Sequence, residues 1–255
     1  MKFSNQFVPS ARDDEPAATR PYPSRLRDIL EITIAFAGIV VALWTLGRTQ
    51  KVVVLLTLIW IGICTLRTHP EPSSLGLRLT GFRQSLWIVG AAALSAGLLI
   101  LIAWKMHTLH AYLTGLIPEV SFGVYLVWAL LQQFILVDVF LVRLLRLAPN
   151  RALAVGATAL LFSVAHIPNP LLMVLTLIWG AAACLLFLRY RNLYSLALAH
   201  AILGLTLAIT IPDAVQHQMR VGIGYLRWHG SDRLHSLEPQ QPDRIHRRMS
   251  DGRGE

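Results

Sequence analysis

Nine histidines occur in the 255-residue chain, yet only His166 and His200 fall in or at the edge of long apolar runs. Two carboxylates, Glu119 and Asp138, lie between Glu71 and Asp213. Asp138 is the one deep in an apolar run, and it shares that run with Gln132 and Gln133. Ionisable groups are costly inside a bilayer, so each marks a site by default. A carboxyl in a dry pocket is a candidate general base or acid. Imidazoles can stabilise an oxyanion or bind a metal. Asp138, His166 and His200 together form a legitimate ligand set for a divalent metal such as zinc, with water in the fourth position. A blander reading stands beside this one: Gln and His make interhelical hydrogen bonds worth about 0.6 kcal/mol on average. At about 100° per residue, Gln132 and Arg143 fall on nearly the same face, three turns or about 16 Å apart. Asp138 then lies about 120° round from Gln132. Arg143 and Arg146 read as residues at the end of a span, snorkelling to headgroups.

The elements that must hold these residues are membrane helices. The chain is 55% hydrophobic and 15% charged, with a mean hydropathy of +0.54. Soluble domains run nearer about 45–50% and about 25%, which argues against a soluble enzyme, a disordered chain or a fibre. The net charge of +9 sits in tails and short loops rather than in a basic stripe interleaved with aromatics. That pattern is topological and excludes nucleic acid as the expected partner. The bilayer is the partner it implies. Cys64 and Cys184 lie in apolar runs and read as packing residues.

The fold class is all-α, a polytopic transmembrane helical bundle of about seven spans, eight if the C-terminal end re-enters. The apolar runs cover about 30–46, 52–66, 85–104, 121–142, 152–165, 171–188 and 193–211. Gly90, Ala93 and Gly97 offer a small-residue face for close helix approach. Pro168-Asn169-Pro170 breaks the chain after the fifth run, and Asn169 reads as a turn residue. Residues 69–74 form a linker, and 108–117 is weakly amphipathic. Arg189, Arg191 and Asn192 make a short basic turn suited to lipid phosphates. His217 and Arg220 belong to an interfacial tail or to a lid. The organisation is a polar tail over 1–28, N-terminal helices over 29–120, a core over 121–211 and a polar tail over 212–255. Thirteen Lys and Arg on one set of loops against three on the other place the N-terminus in the cytoplasm, in a plasma (inner) membrane. With seven spans, the seven arginines of the C-terminal tail fall on the opposite side.

Gln132-Gln133 with Arg143 on the fourth run, Phe162-Ser-Val-Ala-His166, Trp179-Gly180, and Leu198-Ala-His200 through Gly204 occur in that order. This set resembles the CAAX protease and bacteriocin-processing (CPBP, or ABI) family of intramembrane endopeptidases over roughly residues 121–211. The family pattern is E-E-x-x-x-R, then F-x-x-x-H, then H-x-x-x-N or H-x-x-x-D, on successive helices. The resemblance implies hydrolysis of a peptide bond in a membrane-embedded or lipidated substrate. It also implies that the glutamate pair activates water, while the histidines and the final Asn hold the oxyanion or a metal. His166 and His200 match outright. Gln132 and Gln133 stand at the glutamate positions, Val137 at the arginine and Gly204 at the final Asn or Asp. A glutamine amide does not titrate and cannot be the base. Asp138 is the carboxyl available on that helix, and in a shifted register Asp138 and Arg143 have the spacing of the first glutamate and the arginine. The expected function is therefore an endopeptidase with a replaced base. The alternative is a degenerate homologue that binds a membrane partner or lipid. A proton-relaying transporter is disfavoured by the lack of an inverted repeat.

Overall fold

The computed structural model describes residues 25–68, 75–77, 81–110 and 118–228, with side chains from 122 onward in the last stretch. Most of the N-terminal tail, the 69–74 linker, most of the 108–117 segment, the side chain of Glu119 and the C-terminal tail from 229 lie outside these residues. Among the described residues every regular element is helical. Helices α1 (Arg25–Leu43), α2 (Gly47–Thr68) and α3 (Phe82–Lys105) precede α4 (Pro118–Phe134). A π-helical stretch, Ile135–Leu141, joins α4 to α5 (Val142–Leu147) without a break. Then come α6 (Arg151–Val164), α7 (Pro170–Tyr190), α8 (Leu193–Thr210) and two short turns, α9 (Asp213–Gln216) and α10 (Gly222–Leu226).

All seven expected runs are helices. Five of the segments are long and apolar enough to cross a membrane: Gly47–Thr68, Phe82–Lys105, Phe122–Leu147, Pro170–Tyr190 and Leu193–Thr210. This is the character of an integral membrane protein. The other two differ for physical reasons. Helix α1 starts at Arg25, so its first two turns carry Arg25, Arg27, Asp28 and Glu31. Helix α6 has 14 residues, about 21 Å at 1.5 Å per residue and short of a 30 Å hydrocarbon core.

Asparagine side chains start three of the helices. Asn150, Asn169 and Asn192 accept from the backbone N–H of Leu153, Leu172 and Ser195, satisfying donors that a helix start leaves bare. Asn192 is thus a buried cap, while Arg191 lies 4.7 Å over the Phe187 ring. Helix α8 is the central post, packed by α3 and α4. Its buried face is rich in small residues, including Ala197, Ala199, Ala201 and Gly204. The matching stripe on α3 is Ser85, Ile88, Ala92, Ala96 and Ala103. The expected Gly90–Ala93–Gly97 face points outward instead: all three are exposed. Both stripes have small residues at helical spacing, and the one that packs is rotated from the one containing glycine. Helices α6 and α7 also pack closely, since a Cβ at Gly180 would stand 3.3 Å from the Ala159 backbone.

The π-helical stretch divides the core. Leu136, Val137 and Leu141 face a cluster with Phe162, Phe187, Leu193 and Leu196. Val139 and Phe140 face Ala35 and Ile61 of the N-terminal hairpin. Such stretches are rare, and this one needs partners for the carbonyls its changed register leaves free. Arg143 provides them, donating Nη1 to the carbonyls of Asp138 (3.1 Å) and Val139 (3.0 Å). Neither Arg143 nor Arg146 snorkels. Arg143 is fully buried and donates Nε to Glu31 at 2.7 Å and Nη2 to Thr68 at 3.2 Å. Arg146 is paired bidentately with Asp28 at 2.8 and 2.5 Å. Two carboxylates of α1 thus clamp the N-terminal hairpin onto the core.

Candidate functional site

Helices α3, α4, α7 and α8 line a half-open cavity of about 530 Å³. Its wall is apolar and aromatic (Trp128, Leu172, Trp179 and Leu203 among others), with Tyr125, Gln132, His166, Thr176 and His200 as polar groups. This is the composition of a small-molecule or peptide-side-chain site, concave and apolar with a few convergent polar groups.

His166 reaches the cavity because α6 stops short of it. Helix α6 ends at Val164, and the ring turns back so that its Nδ1 sits 2.7 Å from the Phe162 carbonyl. A carbonyl only accepts, so Nδ1 carries the proton and Nε2 keeps its lone pair. Phe162 also braces the ring edge-on at 5.0 Å.

His200 is held from the other side. Its Nδ1 lies 2.7 Å from the side-chain nitrogen of Gln133, which is fully buried, and its ring is braced by Phe162 at 6.1 Å and Trp179 at 5.9 Å. As placed, the Gln133 amide donates to Nδ1 and leaves its Oε1 without a partner. Turning the amide round would leave two buried N–H donors unmet, where the donating orientation leaves one N–H and the Oε1 acceptor, the less costly pair. The donating amide therefore assigns the His200 proton to Nε2. The two imidazoles are opposite tautomers: His166 offers a lone pair and His200 offers an N–H. Trp179 Nε1, on the same wall, has no hydrogen-bond partner among the described residues.

The five residues expected to form the site separate into two groups. Gln132, His166 and His200 line the cavity, and Gln133 touches it through His200. Asp138 does not line it. It sits on the π-helical stretch, fully buried, with both carboxyl oxygens unpartnered among the described residues. The shifted register does not rescue it, because Arg143 bonds its backbone carbonyl rather than its carboxyl. A helical wheel assumes one register throughout. The π-helical stretch breaks that register, so Gln132 faces the cavity while Arg143 faces α1 and α2. The zinc set Asp138, His166 and His200 is accordingly dispersed. Among the described residues no three of His, Cys, Asp and Glu gather as metal ligands. These residues, as placed by the fold, do not fit such an ion.

Two features of the site go beyond the expected residues. Tyr125 lines the cavity and abuts Gly204; its seven-residue spacing from Gln132 is the signal the sequence carries. The segment after α8 is a strap, neither a free tail nor a further span. Its Met219 and Val221 close the cavity wall. Asn169, beyond its capping role, donates to the carbonyls of Gln216 (2.9 Å) and Arg220 (3.2 Å). Gly222 donates to the Ile167 carbonyl at 2.8 Å and fits against Leu43, whose carbonyl a Cβ would strike. His217, Gln218 and Met219 take consecutive left-handed conformations to make this turn.

No curated protein and no solved structure matches the chain. The family model described as type II CAAX prenyl endopeptidase Rce1-like matches residues 121–206, about a third of the sequence. That segment contains Tyr125, Gln132, Gln133, His166, Trp179 and His200, polar residues of the cavity, and over it the chain is similar to that family.

Proposed function

We propose that the chain is an intramembrane endopeptidase that uses an imidazole where its family uses a carboxylate. The observation that carries this reading is the pair of opposite imidazole edges on one apolar cavity. Hydrolysis needs a base for water and a donor for the oxygen that becomes negative. His166 Nε2 takes a proton as the water oxygen bonds to the carbonyl carbon. His200 Nε2–H donates to the resulting oxyanion. The tetrahedral centre then collapses, the C–N bond breaks, and His166 returns the proton to the leaving nitrogen. Gln132 holds the water or the peptide by hydrogen bonds and does not titrate. Gln133 sets the His200 tautomer. A glutamate at 133 would accept from Nδ1–H and turn a lone pair towards the cavity, so glutamine there suits a site in which His200 is the donor. The substrate is a membrane-embedded or lipidated peptide, a reading supported by the prenyl endopeptidase description of the matched family, whose apolar part the aromatic wall would accommodate.

One observation favours a second reading. Among the described residues no carboxylate lines the cavity, as expected of a homologue that binds a membrane partner or lipid without cleaving it. Cleavage in reconstituted membranes separates the two. Wild type should cleave at least one member of a panel of membrane and prenylated peptides. His166→Gln should lose about 10²–10⁴-fold, the usual worth of a positioned base. Asp138→Asn should stay within a few-fold of wild type. Cleavage that survives His166→Gln, or a wild type inert towards the whole panel, contradicts the proposal.

A further inference from the structure

The basic turn after α7 gives two of its three polar residues to the fold: Asn192 caps α8, and Arg191 lies over the Phe187 ring. Arg189 is left over. It is exposed, and among the described residues no carboxylate pairs with it. Its Nε donates to the Tyr190 hydroxyl oxygen at 3.1 Å. The same oxygen accepts from Nε1 of Trp87, on α3, at 3.0 Å. The guanidinium carbon stands 5.4 Å over the phenol ring, and the indole meets that ring edge-on at 6.3 Å, so the three side chains form one cluster. A guanidinium and an indole N–H only donate, whereas a phenol oxygen has two lone pairs and one proton. Both lone pairs of the Tyr190 oxygen are therefore taken, and its proton points away from both partners. Among the described residues no acceptor receives it.

We infer that Arg189, Tyr190 and Trp87 form a binding site for the phosphate of an anionic lipid headgroup. What the cluster presents outward is an O–H and the Nη groups of the same guanidinium, all of them donors, with one positive charge. The complement of such a set is a negative group that only accepts, and phosphate oxygens meet a guanidinium in this way. The place of the cluster selects the source of the phosphate. Tyr190 is the last residue of α7, and Trp87 lies in the second turn of α3, both at ends of segments able to span a membrane. Aromatic side chains at such ends sit at the level of the headgroups, and Trp87 is 54% exposed. A phosphate held there would tie the start of α3 to the end of α7, two of the helices that line the cavity. The inference stands apart from the endopeptidase reading.

The test titrates the full-length protein in mild detergent with phosphatidylglycerol and, separately, with phosphatidylcholine, and reads the first bound lipid by native mass spectrometry. Wild type should bind phosphatidylglycerol about fivefold more tightly, the worth of one basic side chain at an anionic surface, because choline carries a cation that the guanidinium repels. Arg189→Gln should abolish that preference. Tyr190→Phe keeps the ring and removes the O–H, and should weaken phosphatidylglycerol binding about tenfold, the scale of a hydrogen bond to a charged group. Lys105→Gln, at the far end of α3, should bind as wild type does. Equal binding of the two lipids by wild type, a Tyr190→Phe protein that binds like wild type, or a loss as large in Lys105→Gln overturns the inference. Inorganic phosphate in large excess should leave the lipid in place; displacement would make free phosphate the ligand and overturn the lipid assignment. A second readout uses nanodiscs containing phosphatidylglycerol, in which ¹⁵N signals of arginine side chains are dephased by lipid ³¹P in solid-state NMR. A dephased signal that disappears in Arg189→Gln and weakens in Tyr190→Phe supports the site. The same dephased set in all three proteins overturns it.

Discussion

Replacing Arg143 with leucine should unfold the protein's N-terminal clamp, and the structure sets the size of the effect. The guanidinium is fully buried and makes four hydrogen bonds: to Glu31 at 2.7 Å, to the Asp138 and Val139 carbonyls at 3.1 and 3.0 Å, and to Thr68 at 3.2 Å. Removing one member of a buried ion pair costs about 3–5 kcal/mol, because the partner charge stays behind. Glu31 keeps a second partner in Arg27 at 2.8 Å, itself 42% exposed, which puts the expected loss near the lower end, about 3 kcal/mol. Two π-helical carbonyls also lose their donor, adding about 1 kcal/mol or more. Arg143→Leu/Glu31→Leu removes the stranded charge and should recover a substantial part of the loss. The assay is denaturation in mild detergent followed by near-UV circular dichroism, run as a double-mutant cycle. A single variant within about 1 kcal/mol of wild type, or a double variant as unstable as the two singles added together, would refute the reasoning.

The remaining predictions concern smaller elements. Asp138→Val removes a fully buried carboxyl with no partner among the described residues, so it should stabilise the protein by about 1–3 kcal/mol; a lower midpoint in the same denaturation assay would mean that the carboxyl has a partner in the membrane. Asn169→Ala removes a helix cap and both strap hydrogen bonds, which should cost about 1–2 kcal/mol and speed proteolytic nicking at residues 213–221; unchanged nicking would show that Gly222 and Met219 hold the strap unaided. Gly204→Ala puts a Cβ onto the Tyr125 hydroxyl and should destabilise the protein, with Tyr125→Leu relieving the penalty in the double variant; independent, additive effects would contradict the contact.

Much of this fold is legible because periodicity and hydropathy report helices directly. The runs, the break at Pro168, and the pairing of His166 with His200 in one site follow from residues that a bilayer tolerates only for a reason. The differences share a physical origin. A helical wheel assumes one register, and the π-helical stretch at Ile135–Leu141 changes it, turning Arg143 off the Gln132 face and towards α1; Asp138 stands off that face on the regular wheel too. The clamp does leave a signal: Asp28 and Glu31 are three apart, and so are Arg143 and Arg146, the spacing of two facing helical pairs. A polar tail ending at residue 28 hides it, because α1 has already begun at Arg25. The small-residue face of α3 is misplaced by one stripe because glycine and alanine both permit close approach, and composition alone does not choose between adjacent faces. The strap is illegible because hydrogen bonds from the Asn169 side chain and the Gly222 backbone, rather than any apolar pattern, hold it. The Gly222 bond goes to the Ile167 carbonyl, in the turn that also presents His166.

The most direct test of the account is the tautomer of each cavity histidine. The full-length protein is labelled with ¹⁵N-histidine and reconstituted in nanodiscs, and the ring nitrogens are read by solid-state NMR. His166→Gln and His200→Gln assign the two signals. The account predicts that His166 carries its proton on Nδ1, held by the Phe162 carbonyl, and that His200 carries its proton on Nε2, set by Gln133. It also predicts that Gln133→Glu moves the His200 proton to Nδ1 and leaves His166 unchanged. The same tautomer at both histidines, or a His200 signal indifferent to Gln133→Glu, would contradict the division of labour between base and donor on which the proposed chemistry depends.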